Sequence, residues 1–129
     1  MTQEKRRTKT RRSQDGPPAT LPREMVKPSI LMLLKDRRAH GYALLEQVEE
    51  LGVAAIDAGG FYRLLRDLEQ AKLVRSRWEA RGSGPARRVY ELTPKGEEEL
   101  AAWGAALRRQ HALMSSYLRR FRGAVGRDG

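Results

Sequence analysis

Arginine is the residue through which this sequence could do most of its chemistry. Arg63 and Arg66 stand three positions apart in a stretch whose apolar residues Phe61, Leu64 and Leu68 recur at helical spacing. The two guanidiniums therefore share one polar helix face with Gly59 and Gln70. A guanidinium holds its donors in a planar fork, and from a helix it can contact guanine bidentately, a contact worth about 1–3 kcal/mol of discrimination. The plain alternative is a solvated face. A second group, Arg81, Arg87 and Arg88, flanks Gly82-Ser83-Gly84-Pro85, a turn by composition, with Arg75 and Arg77 on the segment opposite and Glu79 to offset them. Long cations beside a turn suit phosphates, where they add affinity with little sequence information. A solubilising hairpin is the competing reading.

Other reactive groups are scarce. His40 and His111 are the only histidines and there is no cysteine, so no metal-ligand spacing and no thiolate chemistry exist. Neither a glycine-rich phosphate loop nor a nucleophile with a partner base is present. Glu97 to Glu99 read as the acidic first turn of a helix. The expectation is a protein that is not an enzyme and carries no cofactor. Tyr62 either reaches a phosphate or closes the edge of the core, and Tyr42 divides between packing and phosphate contact. Gly59 and Gly60, poor helix formers, either let the backbone approach a phosphate or fray the first turn.

The charge balance favours a polyanionic partner. The 129 residues hold 26 Lys and Arg against 16 Asp and Glu, a net +10. Residues 1–20 contribute +4 through Lys5, Arg6, Arg7, Lys9, Arg11 and Arg12 against Glu4 and Asp15, and the rest of the chain is still +6. Phosphate neutralisation with counterion release is the usual use of such an excess. Absence of cysteine fits a reducing compartment. No apolar run approaches the roughly 20 residues of a membrane span, and no secretory signal follows the basic N-terminus. A soluble cytoplasmic protein is expected.

The elements that must position these residues follow from periodicity. Residues 1–20 have too little apolar content to offset their ordering entropy and read as a disordered basic tail, either idle or adding non-specific nucleic-acid affinity. Val26, Ile30, Leu33 and Leu34, with Leu31 and Met32, predict a first helix apolar nearly all round, ended by Lys35-Asp36-Arg37-Arg38. His40-Gly41-Tyr42 opens a second helix striped by Leu45, Val48 and Leu51 and stopped by Gly52. Asp57 is placed to cap a third helix reaching about Lys72. Alternation in 74–79 predicts a strand and 88–92 a second one. Thr93-Pro94 starts a long helix, about 94–121, in which Leu100, Trp103, Leu107, Met114, Tyr117 and Phe121 form a heptad-like seam broken at Gln110. Residues 123–129 read as frayed.

Three helices, a hairpin and a long helix make a mainly α protein with a β-hairpin, the order of a winged helix-turn-helix over 21–93 followed by a C-terminal dimerisation helix over 94–122. In that arrangement the third helix enters the major groove and the hairpin, or wing, lies on the backbone. An apolar seam on so small a body is covered most simply by a second copy.

Four stretches, in order, resemble the PadR family of transcription regulators. They are the apolar helix leading into His40-Gly41-Tyr42, the segment 60–69 from Gly60-Phe61-Tyr62-Arg63 to Asp67-Leu68-Glu69, the segment Leu73-Val74-Arg75-Ser76-Arg77-Trp78-Glu79, and 84–96 ending in Leu92-Thr93-Pro94-Lys95-Gly96. Together they span roughly residues 21–121. The resemblance implies a homodimeric DNA-binding regulator, a repressor by family habit, with Tyr42, Gly59, Gly60, Tyr62, Arg63, Arg66, Arg81, Arg87 and Arg88 toward double-stranded DNA. The terminal helix would pack on its partner and on the first helix, giving Ile30, Leu100, Trp103, Leu107, Met114, Tyr117 and Phe121 as interface. Trp103 is then either interface core or part of a pocket for an apolar or aromatic effector.

The likeness departs from the family at the start of the reading helix. Asp57-Ala58-Gly59-Gly60 stands where a Ser/Thr-Pro-Gly-Thr-like start is usual, and Arg63 where proline is common, so no operator sequence transfers. Ile56-Asp57, Arg63, Ser83-Gly84-Pro85-Ala86 and Ala102-Trp103 resemble the polyhydroxybutyrate-responsive members, which implies a polyester-related signal. A winged-helix protein-interaction module and a sequence-indifferent nucleic-acid binder are the rival readings.

Overall fold

The structure is a computed structural model that describes residues 20–54 and 56–125. The expected basic tail up to residue 19 and the last four residues lie outside that range. A 3-10 turn, Arg23–Met25, leads into α1 (Val26–Asp36). Then come β1 (Ala39–His40), α2 (Gly41–Glu50), α3 (Ala58–Gln70), β2 (Val74–Arg81), β3 (Gly84–Leu92) and α4 (Pro94–Val125). The mainly helical chain with a small antiparallel sheet is the winged helix-turn-helix architecture that the element order predicts.

α1 is the central element because its apolar residues point several ways. Val26, Ile30, Leu31 and Leu34 are buried, and Met32 alone of the run stands well out. They meet Leu44 and Val48 of α2, Phe61, Leu65 and Leu68 of α3, and Val74 and Tyr90 of the sheet in one core. Burial of each such side chain contributes roughly 1.5–3 kcal/mol. Ile30 is fully buried inside this core. That corrects its assignment to a dimer interface, since an intrachain core residue offers no surface to a second molecule.

α2 is rotated from its sequence reading. Leu44 and Val48, four apart, face the core, while Leu45 is half-buried and Leu51 is exposed at the helix end. The N-terminal segment is laced to the connector beyond α2, with Leu21 N–H donating to the Gly52 carbonyl and Ala54 N–H to the Leu21 carbonyl, both at 2.8 Å.

The sheet has the order β1-β3-β2. β1 pairs Ala39 with Tyr90 and His40 with Val89, a third strand that the sequence did not announce. Both wing strands exceed their expected lengths, because the turn contracts to Gly82 and Ser83 between the paired Arg81 and Gly84. Gly82 takes a positive φ of 62°, open to glycine at little steric cost.

α4 starts at a tight junction. The Thr93 hydroxyl accepts the Gly96 N–H at 2.9 Å as a helix cap and lies 2.7 Å from the Lys72 carbonyl. The Leu73 carbonyl receives the Thr93 N–H at 3.1 Å. Any Cβ at Gly96 would fall on that same Leu73 carbonyl oxygen. The helix then runs to Val125, past the expected end near Phe121 and through the stretch from Gly123 expected to fray.

Candidate nucleic-acid interface

α3 is amphipathic for a simple reason: Phe61, Leu65 and Leu68 recur at steps of four and three and are buried. The opposite face carries Gly59, Tyr62, Arg63, Arg66 and Gln70, all exposed, with Gly60 half-buried. Arg63 and Arg66 thus stand on the outer face as the spacing required. Asp57 occupies the N-cap position but makes no side-chain cap hydrogen bond. Its carboxylate folds instead over Gly59 and Gly60, within 3.0 Å of where a Cβ at Gly60 would lie.

The wing is fastened to the helices at two places. At the first, Arg87 donates to the Tyr42 hydroxyl and lies 4.9 Å from its ring centroid. Tyr42 also stacks on His40, ring centroids 5.5 Å apart, and the His40 Nε2 approaches Glu79 at 3.6 Å. At the second, Glu69 near the end of α3 accepts the Ser76 hydroxyl at 2.8 Å and the Ser76 N–H at 3.2 Å. Ser76 in turn accepts Arg88 at 2.6 Å, and the Arg88 guanidinium lies 4.7 Å over the Trp78 ring.

These contacts sort the hairpin's cations. Arg81 stands exposed at the turn. Arg87 and Arg88 are half-buried, each spending one donor inside the chain. Arg75 and Arg77 are different: both reach Glu91 at 3.1 Å, and Arg38 joins them at 3.7 Å. The hydrogen bond from Arg75, followed by the charges of Arg77 and Arg38, holds the Glu91 carboxyl below its ordinary range. Glu79 is therefore not the hairpin's sole counter-charge, as its sequence suggested. Burial pushes the Tyr90 phenol up, an effect that Arg88 opposes.

Tyr42 and Tyr62 flank Gly41, where a side chain would run into the Tyr62 ring. Together with Trp78, Arg87 and Arg88 they line an open cleft of about 350 Å³ between the start of α3 and the wing. The structure thus gathers Tyr42, Tyr62, Arg87 and Arg88 around one opening, while Arg63 and Arg66 lie on the adjacent outer face of α3. Sequence reasoning missed Trp78 here, having used it only as part of the alternation that marks a strand; its signal was the adjacent cationic residues. It also missed Glu69 and Ser76, which tie the helix to the wing.

The terminal seam divides in two. Leu100 and Trp103 are half-buried against the core. Leu107 joins them and Met32 beside an apolar groove. Beyond it Met114, Tyr117 and Phe121 are 62%, 61% and 62% exposed. Leu113, Leu118 and Val125 widen this stripe. Among the described residues no group of His, Cys, Asp or Glu could hold a metal ion, and no helix is long and apolar enough to cross a membrane.

Comparison with known proteins agrees with this fold. A PadR regulator from hypervirulent Clostridium difficile R20291 is similar at 26% identity and a TM-score of 0.66, over 72% of this chain and 97% of that one. A PadR family transcriptional regulator from Eggerthella lenta is 28% identical, with a TM-score of 0.60 over 74% of this chain and 86% of its own. A PadR-like regulator from Bacillus cereus, 24% identical, shares the fold with a TM-score of 0.67 over 74% and 92% of the two chains. No match was found among curated proteins. Residues 30–102 match the model of the transcriptional regulator PadR-like family, a family of regulators and not of enzymes. With more than half of its length matched, this chain belongs to the PadR-like family of transcriptional regulators.

Proposed function

We propose that the chain is a sequence-specific DNA-binding regulator, an effector-responsive repressor that acts as a homodimer. The observation that carries this reading is the exposed pair Arg63 and Arg66 on the outer face of α3, beside a wing with Arg81, Arg87 and Arg88. α3 enters the major groove with the two arginines toward base edges, Tyr62 and Gly59 near the backbone, and the wing on flanking phosphates. Two copies pair through the exposed stripe of α4, so that two α3 helices read half-sites about one DNA turn apart. An apolar, aromatic or polyester-related effector beside Trp103 favours one spacing of the two heads over the other. This activity belongs in the cytoplasm with the DNA.

Gel-shift with the chain's own promoter and a scrambled duplex, at about 150 mM salt, tests the reading. Preference for the promoter is the expected result. Replacing both Arg63 and Arg66 by Ala removes that preference and leaves dimerisation intact. Equal affinity for both duplexes favours a sequence-indifferent binder, and absence of binding favours a protein-interaction module.

A further inference from the structure

Among the described residues Trp78 is the most exposed large apolar side chain outside α4, at 63%. An indole left this far out on a strand is a poor use of apolar surface unless something covers it. It is not loosely held. Arg88 lies over one face of the ring, Ser76 fixes Arg88, and Glu69 fixes Ser76 through both its N–H and its hydroxyl. The free part of the ring borders the cleft whose other walls include Tyr62, Gly41 and Arg87. Among the described residues no carboxylate lines that cleft. Its cations and apolar ring edges match an anionic chain whose phosphates alternate with apolar-faced sugars.

We propose that the cleft seats one deoxyribose-phosphate of duplex DNA, with Trp78 packed on the sugar and Arg88 directed by its ring and by Ser76 toward the phosphate. This rests on the DNA-binding reading above and adds to it a contact that is apolar. The neighbouring start of α3 faces the major groove, so the strand passing between α3 and the wing is the flanking backbone. Trp78 raises affinity by covering surface, and Arg88 by charge. Glu69 is a positioning residue that acts through Ser76.

The experiment uses the full chain with Trp103→Phe, which leaves Trp78 as the only tryptophan. Adding the promoter duplex quenches Trp78 emission and shields it from acrylamide. Trp78→Ala weakens binding about tenfold. It leaves the dependence of log affinity on log salt unchanged, whereas Arg88→Ala lowers that slope by about one. Should Trp103→Phe disturb folding, the difference between the parent chain and Trp78→Phe isolates the same signal. Duplex binding with Trp78 emission and quencher access unchanged overturns this inference alone. Failure to bind any duplex overturns it together with the DNA-binding reading.

Discussion

The Glu69 carboxylate of α3 receives the Ser76 hydroxyl of β2 at 2.8 Å, so the helix that carries Arg63 and Arg66 is bonded directly to the wing. The bond is partly buried and charge-assisted, the class that contributes most among side-chain hydrogen bonds. Glu69→Ala, Ser76→Ala and the double variant should close a cycle with a coupling of about 1–2 kcal/mol in urea denaturation. Simple additivity of the two single changes would show that the bond adds no stability.

Salt dependence should separate the wing's cations. Arg75 and Arg77 are paired with Glu91, while Arg81 is exposed at the turn. Each phosphate neutralised adds about 0.9 to the slope of log affinity against log salt. Arg81→Ala should lower the slope by about that amount, and Arg75→Ala should barely move it. Equal effects from the two variants would contradict the pairing with Glu91.

Gly96 and Gly104 should respond to alanine in opposite directions. A Cβ at Gly96 strikes the Leu73 carbonyl, a backbone atom that cannot step aside. Overpacking of this kind costs about 1–3 kcal/mol. At Gly104 the nearest atom is the flexible end of Arg108, 3.9 Å away, so the gain in helix propensity of about 0.8–1 kcal/mol is unopposed. Thermal midpoints of the two variants provide the comparison.

Stability should fall at both ends of the pH scale. Burial raises the Tyr90 phenol, so its contribution is complete below the ordinary value of 10.0 and is lost as pH climbs through the raised value. Glu91 works the other way. Its lowered pKa gives stability above the ordinary 4.5, lost as pH falls through the lowered value. Denaturation midpoints of Tyr90→Phe should stay level through the alkaline range in which the parent declines. A parallel decline in both would exclude Tyr90 as the source.

The exposed stripe of α4 should govern assembly. Tyr117 and Phe121, 61% and 62% exposed, lie four apart near its middle. Changing both to Asp places two charges in the paired face, and sedimentation should then find monomers. Promoter affinity should drop by at least tenfold as the two half-sites are no longer bound together. A parent chain already monomeric at micromolar concentration would remove the basis for this pairing.

Much of this architecture could be read from periodicity, because α1, α3 and α4 carry long apolar patterns that a helix must bury. The turn signals around Gly82 and the cap at Thr93 were equally plain. What escaped depends on register. With Arg81 opposite Gly84, an unbroken hairpin would set Arg75 against Tyr90; the irregularity between Glu79 and Arg81 slips the pairing by one, so Arg75 meets Glu91. A one-residue slip exchanges the faces of a strand, and no local pattern reveals it. β1 escaped for a different reason: two residues have no period. Ile30 was misassigned because spacing shows which face of α1 is apolar, not which neighbour covers each residue.

The knot at Thr93, Leu73 and Gly96 anchors the start of α4 at the junction of α3 and β2, and Leu100 and Trp103 hold its next turns on the body. With 32 residues at about 1.5 Å each, α4 spans about 48 Å, and its distal part from Leu113 on is largely exposed. In the homodimer proposed above, a partner gripping that distal arm acts on the junction of α3 and β2 through this one continuous helix.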